Sequence, residues 1–275
     1  MKKIFLTFTD EKMKKSRNRI CKQAREMDVY DEIIGYSEKD LSVEFSKKFN
    51  TILNSNTRGY GFWIWKPQII KQKIMEMEFG DILHYVDAGC HFNLMGRQRL
   101  LEYFDMTQKS KSGFLVFSPI DHPPEIVDHN ISLDWQIYKY TKGDLLDYFD
   151  ARHDSALIES PIIVGTTFLI QKNEISVEIV NKWSEISKNI KLMDESVSVG
   201  GELSGFIQHM CDQSVLSLLL NKYPIEIISN YEIEYPDINN RFKLDFKKMK
   251  NYPIHAKRDR GLSLINRAIN KLKRL

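Results

Sequence analysis

The chain has 275 residues, 42% hydrophobic and 28% charged, the composition of a soluble globular protein long enough to bury a large core. Its net charge of +3 is unevenly spread: residues 241–275 carry twelve lysines and arginines against Asp245 and Asp259, a net +10, which leaves −7 on the first 240 residues. A mildly acidic body with a basic end points to an anionic partner for that end. The three cysteines, Cys21, Cys90 and Cys211, are far apart and form no CxxC pair. They speak against a zinc site or a disulfide framework and fit a reducing cytoplasm. Met1 to Thr9 lacks the long apolar region of a signal peptide, and no stretch approaches 18 consecutive apolar residues, so no membrane span is expected.

The elements alternate. Lys3 to Phe8 reads as a buried strand, followed by a helix that Asp10 caps and that carries Met13, Ile20, Ala24 and Met27 on one face. Val29 to Tyr36 holds a second short strand. Pro67 suits the first turn of a helix with Ile70, Ile74 and Met77. Ile82 to Val86 reads as a central strand ending at Asp87, and Phe114 to Phe117 as another. Pro119 to Asn130 reads as loop. Ile162 to Ile170 reads as a strand, Ile175 to Ile190 as an amphipathic helix, residues 193–205 as a mobile loop, Asp212 to Leu219 as a helix, and Ile225 to Ile228 as the last good strand. This alternation predicts one α/β layer domain with a largely parallel sheet. Ligands in such sheets lie beyond the carboxyl ends of the strands, which is where Asp87 falls.

Four places could carry chemistry, and each has a plain alternative. Asp87, just after an apolar strand, either holds a divalent cation on a diphosphate or caps a turn. Asp212 either caps its helix or acts as general base for an acceptor hydroxyl, with Gln213 on the donor sugar. In Gly59-Tyr60-Gly61-Phe62-Trp63-Ile64-Trp65-Lys66-Pro67 the glycines allow close backbone approach. Trp63 and Trp65 would share a face of a strand, to stack a ligand or to pack, and Lys66 binds phosphate or faces solvent. His255, beside Lys257, Arg258 and Arg260, completes a metal–diphosphate site or is structural. No P-loop, GxGxxG, HExxH or GxSxG motif is present.

Together, four segments in order carry a resemblance. They are Gly59 to Pro67; Gly80-Asp81-Ile82-Leu83-His84-Tyr85-Val86-Asp87-Ala88-Gly89-Cys90; Tyr140-Thr141-Lys142-Gly143-Asp144; and His209 to Leu219, with Asp212-Gln213 at its centre. From about residue 3 to about 260 the chain resembles small bacterial GT-A-type glycosyltransferases found with capsule and O-antigen (lipopolysaccharide) biosynthesis genes. The resemblance implies an α/β/α sandwich over residues 1–260, with a nucleotide-binding half of about 1–115 and an acceptor half of about 116–260. It implies donor contacts from Trp65, Lys66, Asp87, Ala88, Gly89, Gln213 and Arg258, a catalytic Asp212, and a metal site of Asp87 and His255 for Mn²⁺ or Mg²⁺. The chain departs from the family at Asp87-Ala88-Gly89, where the second aspartate of Asp-x-Asp is a glycine. Asn93 is a further polar candidate.

The expected substrates are a nucleotide-diphosphate sugar, a UDP-sugar by the same resemblance, and a saccharide or lipid-linked acceptor. Residues 261–275 place Leu262, Ile265, Ile269, Leu272 and Leu275 on one stripe of a basic helix. That helix suits an anionic membrane surface at the inner face of the cytoplasmic membrane or docks on its own domain. A nucleotide-sugar-binding protein without transferase activity and a nucleotidyltransferase remain as alternatives. A nucleic-acid-binding role is disfavoured by the acidic body.

Overall fold

A computed structural model describes residues 1–131 and 133–259. The basic helix expected at 261–275 lies outside the described residues.

Apolar alternation builds the sheet. In β1 (Lys3–Phe8), Ile4, Leu6 and Phe8 enter one buried layer and Phe5 the opposite one. The same split places Leu83 and Tyr85 of β3 (Ile82–Val86) opposite Ile82 and Val86. With β2 (Glu32–Tyr36), β5 (Phe114–Ser118), β6 (Thr167–Gln171) and β7 (Glu226–Ser229), these strands form a six-stranded sheet in the order β2-β1-β3-β6-β5-β7. The β1–β2, β1–β3 and β5–β7 pairs are parallel. β6 runs against both of its neighbours.

Helices cover both faces. α1 (Lys14–Met27) and α3 (Arg97–Lys109) cover one side through Ile20, Ala24, Met27, Leu100, Tyr103 and Phe104. α2 (Trp65–Glu76), α4 (Glu174–Ser187) and α5 (Asp212–Leu220) cover the other through Ile70, Ile74, Ile179, Trp183, Val215 and Leu216. The molecule is therefore a three-layer α/β/α sandwich with a mostly parallel sheet. Asp10 caps not α1 itself but the short 3-10 turn Glu11–Met13 before it, its carboxylate accepting the Met13 N–H at 3.1 Å, and α1 starts behind Met13 without a side-chain cap. Two smaller ribbons pair β4 (His91–Phe92) with β10 (Ile254–His255), and β8 (Pro236–Asp237) with β9 (Asn240–Leu244).

β1 lies between β2 and β3, so the chain leaves β1 in one direction and later returns past it. That reversal opens a crevice at the carboxyl ends of β1 and β3, the usual place for a ligand in an open α/β sheet.

Several local expectations change. The strand read at Ile162 to Ile170 starts only at Thr167. Ile162 and Ile163 are buried, hence the strand-like signal, but they belong to an irregular segment before β6 whose N–H groups bond Trp135 O and Ser217 Oγ. Pro119 to Asn130 contains a one-turn helix, Pro124–Asp128, opened by a proline whose missing N–H costs nothing at that position. Trp63 and Trp65 share no strand face: Trp65 opens α2 and Trp63 closes a left-handed turn. Residues 194–205 are irregular, as read, but are tied to a buried ammonium. Lys142 Nζ donates to Lys191 O at 2.7 Å, Asp194 Oδ1 at 3.0 Å and Ser196 Oγ at 3.1 Å. Glu202 accepts the Gly143 N–H at 2.6 Å.

Candidate active site

Four chain segments meet at the crevice. β3 ends at Asp87, whose backbone N–H is held by Thr166 O at 2.8 Å. α2 brings Lys66 in its first turn, and α5 brings Asp212 as its first residue, followed by Gln213. The turn at Gly165 closes the fourth side, and a β-carbon there would meet Gln213 Cβ at 3.3 Å and Asp212 Oδ2 at 3.4 Å.

Lys66 is the centre of this arrangement. It is 2% exposed, with Nζ 3.0 Å from Gly165 O, 2.9 Å from Asp212 Oδ2 and 3.4 Å from Asp87 Oδ1. The ring centroids of Tyr85 and Trp65 lie 5.2 and 5.9 Å from it. Burial alone would lower its pKa, but Asp212 and then Asp87 outweigh burial and raise it, so the ammonium stays charged. Its three donors face three protein oxygens, and the sequence expectation of an ammonium open to phosphate is not what the fold provides.

The two carboxylates differ. Asp87 has a side chain one-third exposed, and its Oδ1 also accepts the Tyr85 hydroxyl at 2.6 Å, leaving Oδ2 as the oxygen without those partners. Asp212 is 3% exposed; its Oδ2 contacts Lys66 as an ion pair but receives no well-directed hydrogen bond. Burial pushes its pKa up to about 6, against the lowering effect of Lys66 and with a further rise from Asp87. Gln213 Oε1 accepts the Gly165 N–H at 3.2 Å, so its amide nitrogen carries the donors that remain. At Cys211, just before Asp212, the backbone turns through φ 51°, an uncommon value that aims the helix start into the crevice.

The remaining sequence candidates lie elsewhere or play other parts. Trp65 is 6% exposed, stacks on Phe8 at 4.1 Å between centroids, and donates its indole N–H to Gly59 O at 2.9 Å; it is a floor beneath Lys66, not an open stacking face. Ala88 and Gly89 form the turn after Asp87. Ala88 O accepts from Arg19 at 2.7 Å, and Gly89 O accepts the Asp259 N–H at 2.9 Å. A side chain at Gly89 would press on Arg258 Cα at 3.3 Å. Arg258 thus meets the turn through its backbone, while its guanidinium pairs with Glu234 at 2.8 Å. Asn93 caps a turn and bonds the carbonyls of Lys250 and Tyr252.

His255 is not gathered with Asp87. It pairs across the ribbon with His91, its Nε2 donates to Met249 O at 3.1 Å, and its ring rests against Phe246. Among the described residues, no group of three or more His, Cys, Asp or Glu is arranged to hold a metal ion. One oxygen of Asp87 is engaged by Tyr85 and Lys66, Gly89 offers no ligand, and a buried ammonium stands beside the carboxylate. The residues present do not by themselves fit a Mn²⁺ or Mg²⁺ site.

Sequence reasoning missed Tyr85, Gly165, Arg19 and Arg58. Tyr85 was visible in principle, since it precedes Asp87 by two residues and so points to the same face of the strand. Arg58 donates to Glu195 at 2.7 Å and to His209 O at 2.9 Å, joining the turn before α2 to the approach to Asp212. Neither it nor Arg19 carries a local signal.

No family model matches the chain, and no curated protein matches it. Solved structures of similar shape include a glycosyltransferase involved in the glycosylation of the major capsid of PBCV-1, 10% identical, with 98% of each chain covered and a TM-score of 0.48. Mouse xyloside xylosyltransferase 1 is 8% identical over 93% of this chain and 97% of its own, with a TM-score of 0.49. The galactosyltransferase LgtC, solved with donor and acceptor sugar analogues, is 10% identical over 92% of this chain and 86% of its own, with a TM-score of 0.35.

Proposed function

We propose that the chain is a glycosyltransferase that moves a sugar from a nucleotide-diphosphate sugar, a UDP-sugar, to a saccharide or lipid-linked saccharide in the synthesis of a bacterial surface polysaccharide. The observation that carries this reading is the convergence of Asp87 and Asp212 on Lys66 at the β1–β3 switch point. The ordered motifs described above, from Gly59–Pro67 to His209–Leu219, support the transferase class, and the UDP donor and the cellular setting rest on the family resemblance alone.

In this reading the outward oxygen of Asp87 contacts the donor beside the Ala88-Gly89 turn, and the Gln213 amide contacts the donor sugar. The acceptor hydroxyl oxygen bonds to the anomeric carbon as the bond from that carbon to the diphosphate breaks. The nucleoside diphosphate leaves with the electron pair, and Asp212 takes the hydroxyl proton. With a pKa of about 6, Asp212 is mostly ionised at neutral pH yet remains a better base than an ordinary aspartate. Lys66 holds both carboxylates in register and offsets their repulsion.

The test is a thermal-shift screen against UDP, GDP, CMP and their sugar conjugates, with Mn²⁺ and with EDTA. A ligand of the native state raises the midpoint. The expected result is a shift with UDP and UDP-sugars that Asp87→Ala abolishes. No shift with any nucleotide in a folded sample refutes the reading. Gly89, standing where the family has a second acid, favours one alternative, a donor-binding protein without turnover. UDP release that does not rise with any acceptor would support it.

A further inference from the structure

We infer that a face built from residues 92–96 and 245–257 docks on an anionic lipid surface through an apolar tip ringed by lysines. The tip is Leu94 and Met95, 57% and 62% exposed on the short turn Leu94–Gly96. Beside it stands the turn after β9, which carries Phe246, 47% exposed, with exposed Lys247 and Lys250. The two turns are clasped: Asn93 donates to the Lys250 and Tyr252 carbonyls at 2.8 and 2.9 Å, and its own N–H bonds Pro253 O at 2.8 Å. At Gly96 a β-carbon would lie 2.3 Å from Pro253 N, so the turns touch backbone to backbone.

Two open hollows flank the tip. Met95 and Lys248 line one of about 460 Å³; Leu94 and Lys257 line the other, of about 370 Å³. Each hollow has one acid on its wall, and both acids face a base already: Glu102 pairs with Arg99, and Glu26 with Lys22. Lys257 Nζ lies 4.6 Å from the Phe246 ring centroid, so cation and apolar ring share one patch.

Charge selects the partner. Residues 241–259 carry seven basic side chains against Asp245 and Asp259, a net +5, on a body whose first 240 residues are −7. Both acids are engaged: Asp245 accepts the Lys247 and Lys248 N–H groups of its own turn, and Asp259 pairs with Arg19. Lys248 itself pairs with Glu125 and Arg258 with Glu234, while Lys247, Lys250 and Lys257 are exposed cations of the face. Apolar tips that enter the acyl boundary while lysines reach the headgroup phosphates are the arrangement an anionic bilayer binds. The same segment runs on to Gly89, so docking brings the rim of the Asp87 crevice towards the lipid. None of this depends on the sugar-transfer reading.

The test is sedimentation of the full chain with vesicles of phosphatidylcholine containing phosphatidylglycerol, and with phosphatidylcholine alone. Leu94→Ser/Met95→Ser and Lys247→Gln/Lys250→Gln are each expected to weaken partition to anionic vesicles about tenfold or more. Neither should move the thermal midpoint, since both act on exposed side chains. Val199→Ser, an exposed apolar residue of the 194–205 loop, is expected to bind as wild type. The inference is overturned if either double variant partitions like the unaltered chain, if Val199→Ser weakens partition equally, or if the full chain ignores anionic vesicles. Unchanged partition of the variants would assign the docking to another face or to residues 260–275.

Discussion

A lysine with its ammonium enclosed by two carboxylates and a carbonyl has a defined energetic signature. Removing one member of a buried ion pair leaves an uncompensated charge and typically costs about 3–5 kcal/mol. Lys66→Met is therefore expected to destabilise the fold by about that much in urea titration, and Lys66→Met/Asp212→Asn to recover most of the loss. A Lys66→Met chain as stable as wild type would mean that the carboxylates repel little. Asp212 adds a pH signature. The folded chain holds its proton up to about pH 6, whereas an unfolded aspartate releases it near pH 3.9. Between those values the native state binds more protons, so this residue's contribution to stability falls as pH rises from about 4 to 6, by roughly 3 kcal/mol in all. The difference between wild type and Asp212→Asn, measured by urea titration across that range, should show this slope and flatten above pH 6. Turnover that uses Asp212 as base should rise with pH over the same interval. The placement of residues was legible at this scale where position in an element fixes it: Asp87 at a strand end and Asp212 at a helix start. It was not legible for His255, Arg258 and Trp65, whose partners Met249, Glu234 and Phe8 follow from pairings that no local pattern encodes.

The element that aims Lys66 is the turn before α2. Gly59, Tyr60, Gly61, Phe62 and Trp63 all have positive φ, from 54° to 93°. A left-handed conformation costs an ordinary residue about 1–2 kcal/mol, and the two glycines relieve only their own positions. The turn is held by what surrounds it: Arg58 on Glu195 and over the Trp63 ring, Trp65 N–H on Gly59 O, and the Lys66 N–H on Trp63 O at 2.9 Å. A β-carbon at Gly59 would fall 2.3 Å from the Trp63 ring, a rigid neighbour. Gly59→Ala is expected to lower the thermal midpoint by several degrees, corresponding to about 2 kcal/mol or more, and to reduce nucleotide-dependent turnover beyond what the lost stability explains. Activity that follows stability alone would remove the turn's role in aiming Lys66. The sequence marked this segment by its density of glycine and aromatic residues, but alternation of Trp63 and Trp65 read as a strand because spacing carries no sign of φ. The late start of β6 has a similar origin: a buried irregular segment and a buried strand have the same apolar composition.

Over the whole molecule, the division near residue 115 passes through β5, and the six-stranded sheet draws strands from both sides of it, with β3 paired to β6 along five residues. Both halves therefore share the six-stranded sheet, and unfolding in urea should give coincident transitions by far-ultraviolet circular dichroism and by tryptophan fluorescence, since the tryptophans lie in both halves. Two separated transitions would contradict a single cooperative unit. The α/β class was legible from the alternation of elements; the reversed direction of β6 was not, because a strand's apolar period is the same read either way. The basic end was legible as charge, but the packing of residues 241–259 on the body was not. One contact of that segment ties distant parts of the chain. The Ala88-Gly89 turn, which sets the direction of Asp87, is braced by Asp259 on the Gly89 carbonyl and by Arg19, which also grips Asp259. The brace is remote in sequence from the turn it supports, so loosening the segment around Asp259 would free the direction of Asp87 without altering any residue of the candidate site itself.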